Sequence, residues 1–251
     1  MVAEAVFIFL KSLPLRSMFK KEIPNILTLC NLLCGCASVV CTFSSNLYWA
    51  SWFIGIAAVF DLFDGMAARI LRVSGDMGKE LDSLADVVSF GVAPSVIAYN
   101  MLRSQLLMPN AVCFVVFVMV AASAYRLARF NTDPRQKGFF LGMPVPVNAL
   151  FWAALNLYWF REGVVLNAWY LLVLSLLMSF LLVCRLRMFA FKGKDWSWKA
   201  KRFVYIYMMV SVTLLFVFGS LGLAVDVLLY PCFSILHFRF SENPVNYEIQ
   251  S

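Results

Sequence analysis

Four aspartates in this chain stand at spacings that suit a divalent cation. Residues 61–90 read DLFDGMAARILRVSGDMGKELDSLADVVSF, which contains Asp61-x-x-Asp64-Gly65-x-x-Ala68-Arg69, then eight residues, then Gly78-x-x-x-Asp82-x-x-x-Asp86. Asp61 and Asp64 are three apart and Asp82 and Asp86 four apart, so on helices each pair shares a face. The segment ILRVSGDM between them is short, polar and glycine-bearing, as a tight turn should be. An antiparallel helix pair follows, with two carboxylates from each helix pointing into one pocket. Such carboxylates repel, and each costs about 2.5–3.5 kcal/mol at bilayer depth on insertion scales. A hard cation such as Mg²⁺ resolves the conflict, because it takes oxygen ligands, a few carboxylates and substrate phosphate. Gly65 and Gly78 remove side chains where a ligand or backbone must come close, and Ala68 keeps the same wall low. Arg69 offers a planar fork matched to phosphate. Asp76 and Glu80 lie in the same stretch and read as solvated interface residues.

The elements that must position these residues are membrane helices. The chain has 251 residues, 62% hydrophobic and 14% charged, with a mean hydropathy of +0.80. Soluble domains run at about 45–50% apolar and about 25% charged. Apolar runs able to cross about 30 Å of hydrocarbon recur along the whole length. Eight spans are expected, at 26–47, 49–71, 84–102, 111–128, 145–159, 168–186, 203–218 and 221–238. Seven is the alternative, because the fifth is short and little separates the last two. The expected fold is all-α, a polytopic transmembrane bundle forming a single domain over 19–240. A polar tail, SENPVNYEIQS, covers 241–251.

Residues 1–18 form an N-terminal extension. Its sequence lacks the basic n-region and small-residue cleavage site of a secretory signal. An interfacial helix and an upstream start, with Met18 opening the natural chain, both fit it. The stretch RMFAFKGKDWSWKAKR at 187–202 mixes basic and aromatic residues, as interfacial segments do.

With eight spans, 19 of the 21 Lys and Arg fall on the side of the termini, leaving Arg103 and Arg161 opposite. This bias places both termini and the acidic stretch at the cytoplasmic face. The net charge of +7 suits anionic lipid headgroups. Nucleic acid is not an expected partner, because the basic residues sit in short juxtamembrane loops. Of seven cysteines, Cys30, Cys34, Cys36 and Cys41 crowd the first span, where they read as small reduced packing residues. A single histidine, His237, argues against a Ser–His–Asp arrangement and against His-ligated zinc. Carboxylates must carry the chemistry.

The acidic stretch resembles the signature of the CDP-alcohol phosphotransferases, D-x-x-D-G-x-x-A-R-x(8)-G-x-x-x-D-x-x-x-D, and matches it at every position. The resemblance implies a six-helix core, here with about two further C-terminal spans, and a homodimer. It implies Mg²⁺ or Mn²⁺ on Asp61, Asp64 and Asp82. Asp86 would face the same metal and act as the base. It also implies a CDP-linked donor contacting Gly65, Ala68 and Arg69, with Asp61 and Gly78 at the same site.

Four further strings resemble the bacterial-type phosphatidylserine synthase branch: IPNILTLCNLLCGCAS, ELDSLADVVSFGVAPS, YRLARFN and FFLGMPVPVNA. That branch implies CDP-diacylglycerol as donor and L-serine as acceptor. Serine carries a carboxylate, and Arg126 and Arg129, three apart at the cytoplasmic end of the fourth span, suit that group or a lipid phosphate. Asn131 adds hydrogen bonds. Positive-inside anchoring is the plainer account of both arginines. Asn25 and Thr28, one turn apart, either reach the nucleotide or cap the first helix. Two competing functions share these residues: transfer to another acceptor such as glycerol 3-phosphate or inositol phosphate, and carboxylate-dependent transport. Transport predicts an internal repeat and broken helices at mid-depth, whereas the acids here cluster at one face.

Overall fold

A computed structural model describes residues 15–73, 75–105, 111–133, 139–164, 166–189 and 198–240. Its helices are α1 (Leu15–Phe43), α2 (Leu47–Leu71), α3 (Asp76–Asp86), α4 (Ala93–Arg103), α5 (Val118–Thr132), α6 (Val145–Glu162), α7 (Ala168–Val183) and α8 (Trp198–Phe240). A π turn, Val87–Val92, joins α3 to α4, so Asp76–Arg103 runs as one helical rod. Among the described residues four stretches are long and apolar enough to cross a membrane: Glu22–Phe43, Asp76–Arg103, Ala111–Thr132 and Arg202–Phe240. The chain is a multi-pass membrane protein with an all-α fold. Residues 1–14, including most of the N-terminal extension, and the tail at 241–251 lie outside the described residues.

Burial along α1 explains how the bundle closes around the acidic stretch. Pro24, Thr28, Asn31, Gly35, Ser38 and Thr42 are all buried, at spacings of three and four residues. This stripe of small and polar residues is what membrane helices use for close approach, because lipid tails give apolar side chains no reason to leave them. Ser38 Oγ donates to the Ala50 carbonyl at 2.7 Å, which fastens α1 to α2. Ser89 Oγ, in the π turn, donates to the Asn31 carbonyl at 2.9 Å, which fastens α1 to the α3–α4 rod. At Gly35 a Cβ would overlap the Ser89 hydroxyl and sit 2.7 Å from Ser89 Cα, so the crossing needs glycine.

Several boundaries differ from expectation. The first helix begins at Leu15 rather than 26 and runs straight through Pro24. Pro24 lacks only its own N–H, and Thr28 Oγ1 lies 3.1 Å from its carbonyl oxygen. Asn25 and Thr28 therefore sit within the helix and do not cap it. Helix α7, the sixth expected span, ends at Val183 rather than 186, and a three-residue strand, β2 (Arg187–Phe189), pairs antiparallel with β1 (Phe139–Leu141).

The last two expected spans form one helical hairpin. Arg202 Nη2 donates to the Phe240 carbonyl at 2.9 Å, although 38 residues of straight helix would separate them by about 57 Å. The fold-back falls at Gly219, whose φ of 57° lies in the left-handed region. Tyr207 and Ser211 on one arm donate to Asp226 on the other, at 2.9 and 3.0 Å.

Candidate active site

The two halves of the acidic motif meet where α2 ends and α3 begins. Arg72, in the left-handed region at φ 52°, ends α2, and its N–H bonds the Arg69 carbonyl at 3.2 Å. Three residues separate Arg72 from the start of α3, so the turn is tighter than the eight-residue segment suggests. Asp61 and Asp64 from α2 and Asp82 from α3 converge, with one ligand oxygen from each lying within 4.8 Å of the others. Two charges at that distance repel by roughly 3–4 kcal/mol at an effective dielectric of about 20. Asp64 is buried, and one oxygen of Asp82, Oδ1, is buried without a hydrogen-bond partner among the described residues. An orphaned anionic acceptor beside two more carboxylates is a hard-oxygen donor set, and Mg²⁺ or Mn²⁺ fits it.

Thr28 sets the orientation of Asp64. Its Oγ1 lies 2.7 Å from Asp64 Oδ2 and 3.1 Å from the Pro24 carbonyl. A hydroxyl has one hydrogen to give, and the shorter contact goes to the carboxylate. Thr28→Val keeps the shape and removes the donor. We expect it to weaken divalent-cation binding by about tenfold, the lower end for lost supporting hydrogen bonds at metal sites. A Mn²⁺ titration of purified enzyme checks this, and unchanged affinity would detach Thr28 from the site.

Asp86 stands one turn beyond Asp82 on α3 and is buried. It is not one of the three converging ligands. Asn31 Nδ2 donates to its Oδ1 at 3.1 Å. Beneath it is Arg126, 6% exposed, with its Nε unpartnered among the described residues. The guanidinium lies over the rings of Phe130 and Phe140, at 5.6 and 5.8 Å from their centroids. Asp86 and Tyr230 are within its electrostatic reach. Arg129 is half-buried and caps α7, donating to the Val183 carbonyl at 3.4 Å. Asn131 is spent on packing α5 against α3: its amide donates to Ser83 Oγ at 2.7 Å, and its carbonyl accepts from Lys79 Nζ at 2.9 Å.

A cleft of about 700 Å³ opens beside the carboxylates. Asn25, Thr28, Asp64, Gly65, Ala68, Gly78 and Asp82 all line it, which brings the expected donor-side residues onto one wall. Gly78 faces Asn25, whose Oδ1 would lie 3.3 Å from a Cβ at that position. Arg69 is exposed and does not line the cleft. Glu80 is exposed, and so is Asp76, which reaches the rim.

Sequence reasoning missed Asn31, Lys79 and Tyr230. Asn31 had a signal, since it continues the Asn25–Thr28 spacing by one more turn. Lys79 follows Gly78 within the motif and lines the same cleft, a cation for an anionic ligand. Tyr230 lies far along the chain, and nothing in its local sequence points to the site.

The family model for CDP-alcohol phosphatidyltransferase matches residues 21–180. The chain is 39% identical over 124 residues to a CDP-diacylglycerol–serine O-phosphatidyltransferase of Bacillus subtilis (strain 168), covering 49% of this chain and 69% of the relative. It is 31% identical over 226 residues to the protein of the same name in Helicobacter pylori (strain ATCC 700392 / 26695), covering 86% of this chain and 91% of the relative. With the one in Mycobacterium leprae (strain TN) it shares 35% identity over 184 residues, 69% of this chain and 60% of the relative.

Proposed function

The chain belongs to the CDP-alcohol phosphatidyltransferase family, and from that membership we propose that it moves the phosphatidyl group of CDP-diacylglycerol onto the hydroxyl of L-serine, giving phosphatidylserine and CMP. The observation that carries this reading is the convergence of Asp61, Asp64 and Asp82 within 4.8 Å beside a 700 Å³ cleft. Relatives bearing the serine transferase name support the acceptor. We place the enzyme in the cytoplasmic membrane of a bacterial type of cell, with the cleft facing the cytoplasm and a homodimer as the working unit.

In the mechanism, Asp61, Asp64 and Asp82 would hold Mg²⁺ or Mn²⁺, which would supply positive charge to offset that of the diphosphate and the departing CMP. Asn25, Gly65, Ala68 and Gly78 leave a low wall on which the cytidine diphosphate lies. Lys79 adds positive charge to that wall, and Arg69, exposed outside the cleft lining, would have to swing toward it to meet the diphosphate. Asp86, steadied by Asn31, accepts the proton of the serine hydroxyl. The serine oxygen then bonds to the phosphorus bearing the lipid, and the bond from that phosphorus to the CMP oxygen breaks. Arg126 holds the serine carboxylate. Arg129 and Asn131 keep α5 against α7 and α3 and so fix where Arg126 stands. Positioning and electrostatics supply most of the acceleration in transfers of this kind.

The test offers CDP-diacylglycerol and Mg²⁺ or Mn²⁺ with serine, glycerol 3-phosphate or inositol phosphate in turn. CMP release that depends on serine is expected. Release with another acceptor and none with serine would overturn the serine assignment while keeping the family chemistry. Absence of release with every acceptor would favour transport.

A further inference from the structure

The C-terminal hairpin, 202–240, lies outside the residues that the family model matches, yet it packs against α6 and strand β2. Tyr230, 4% exposed, donates its hydroxyl hydrogen to the Phe189 carbonyl at 2.7 Å. Its ring also meets the Phe189 ring edge-on, 4.9 Å between centroids at 75°. Tyr207 closes the same cluster, edge-on to Phe189 at 5.5 Å and bonded to Asp226 across the hairpin. Phe189 ends strand β2, and in the β1–β2 pairing Met188 stands opposite Phe140. The Phe140 ring is one of the two that flank the Arg126 guanidinium. On the other side, Gly142 N–H bonds the Leu186 carbonyl at 3.0 Å and Met143 N–H the Leu181 carbonyl at 2.8 Å, so β1 cannot drift independently of the β2 end.

We propose that Tyr230 is a positioning residue for the acceptor site: its hydroxyl fixes β2, the ribbon carries that position to Phe140, and Phe140 sets the Arg126 guanidinium against the acceptor's carboxylate. The inference rests on the role given to Arg126 above. Arg126 is buried, its Nε has no partner among the described residues, and the Phe130 and Phe140 rings flank its guanidinium, so packing on those rings helps to set where it stands. A hairpin beyond the family's matched region thereby tunes affinity for an anionic acceptor while leaving the carboxylate centre alone.

The test is a double-mutant cycle read as separate kinetic constants. Tyr230→Phe keeps the ring and removes one hydrogen bond. It is expected to raise the serine KM about fivefold, the size of one such bond, with kcat and the CDP-diacylglycerol KM within about twofold of wild type. Tyr230→Leu, which also removes the ring, raises it further. In an Arg126→Ala background, where serine KM is already high, Tyr230→Phe adds nothing further. An unchanged serine KM in Tyr230→Phe, a loss only in the amount of folded enzyme, or the same increase with Arg126 absent would overturn the inference alone. Arg126→Ala with an unmoved serine KM would overturn the reading of Arg126 and this inference with it.

Discussion

Asp86→Asn is expected to bind CDP-diacylglycerol with metal as the wild type does and to lose turnover by about 10²- to 10⁴-fold, the range a general base contributes. Asparagine matches the carboxylate in shape, so the buried space beside Asn31 and Arg126 stays filled. What it lacks is a second anionic oxygen to take the serine proton. Asn31 donates to one Asp86 oxygen only, which leaves the other for the hydroxyl. Single-turnover release of CMP, measured alongside donor binding, separates the two effects. Near-normal rates would remove Asp86 from the base role, and loss of donor binding would move it into the metal site.

The second large effect concerns the three converging carboxylates, and it has two signs. Asp82→Asn removes one negative charge from a cluster whose members lie within 4.8 Å. Without metal, the lost repulsion should leave the thermal midpoint unchanged or higher, since like charges in a tight group oppose folding. With metal, the variant should lose the stabilisation that a bound ion confers. Its kcat/KM should fall by about 10²- to 10³-fold, corresponding to several kcal/mol of Lewis-acid assistance. Thermal denaturation with and without Mn²⁺, together with serine-dependent CMP release, reads both signs. A variant less stable than wild type in chelator would show that Asp82 serves packing instead.

The positions of the acids were legible because spacing on a helix converts directly into a shared face. Asp61 with Asp64 and Asp82 with Asp86 fell on two helices joined by a turn, as expected. Three of the four meet. Asp86, one further helical turn along, lies within electrostatic reach of all three and also meets Asn31 and Arg126, and only the packing of α1 and α5 could have shown those two neighbours. The membrane character was legible from hydropathy, although of the eight expected spans the described residues give four stretches long and apolar enough to cross, the last of them folding back at Gly219.

Other features had no local signature. The π turn at Val87–Val92 depends on Ser89 reaching the Asn31 carbonyl on a distant helix. Pro24 reads as a helix start, yet tertiary packing of α1 on α2 carries the helix through it. The β1–β2 ribbon joins two three-residue strands far apart in sequence, too short to show any alternation. Arg129 and Asn131 carried the right chemistry for serine, but their side chains hydrogen-bond to neighbouring helices. Residue type alone does not say whether a polar group is already satisfied.

The central claim is that Asp61, Asp64 and Asp82 hold a cation that contacts the donor's diphosphate. Electron paramagnetic resonance of enzyme-bound Mn²⁺, with hyperfine detection of phosphorus, tests it most directly. Adding CDP-diacylglycerol should produce phosphorus coupling at a single class of bound Mn²⁺, and the Asp61→Asn/Asp64→Asn/Asp82→Asn variant should show neither the ion nor the coupling. Bound Mn²⁺ that gains no phosphorus coupling with the donor, or that persists in the triple variant, would contradict the account.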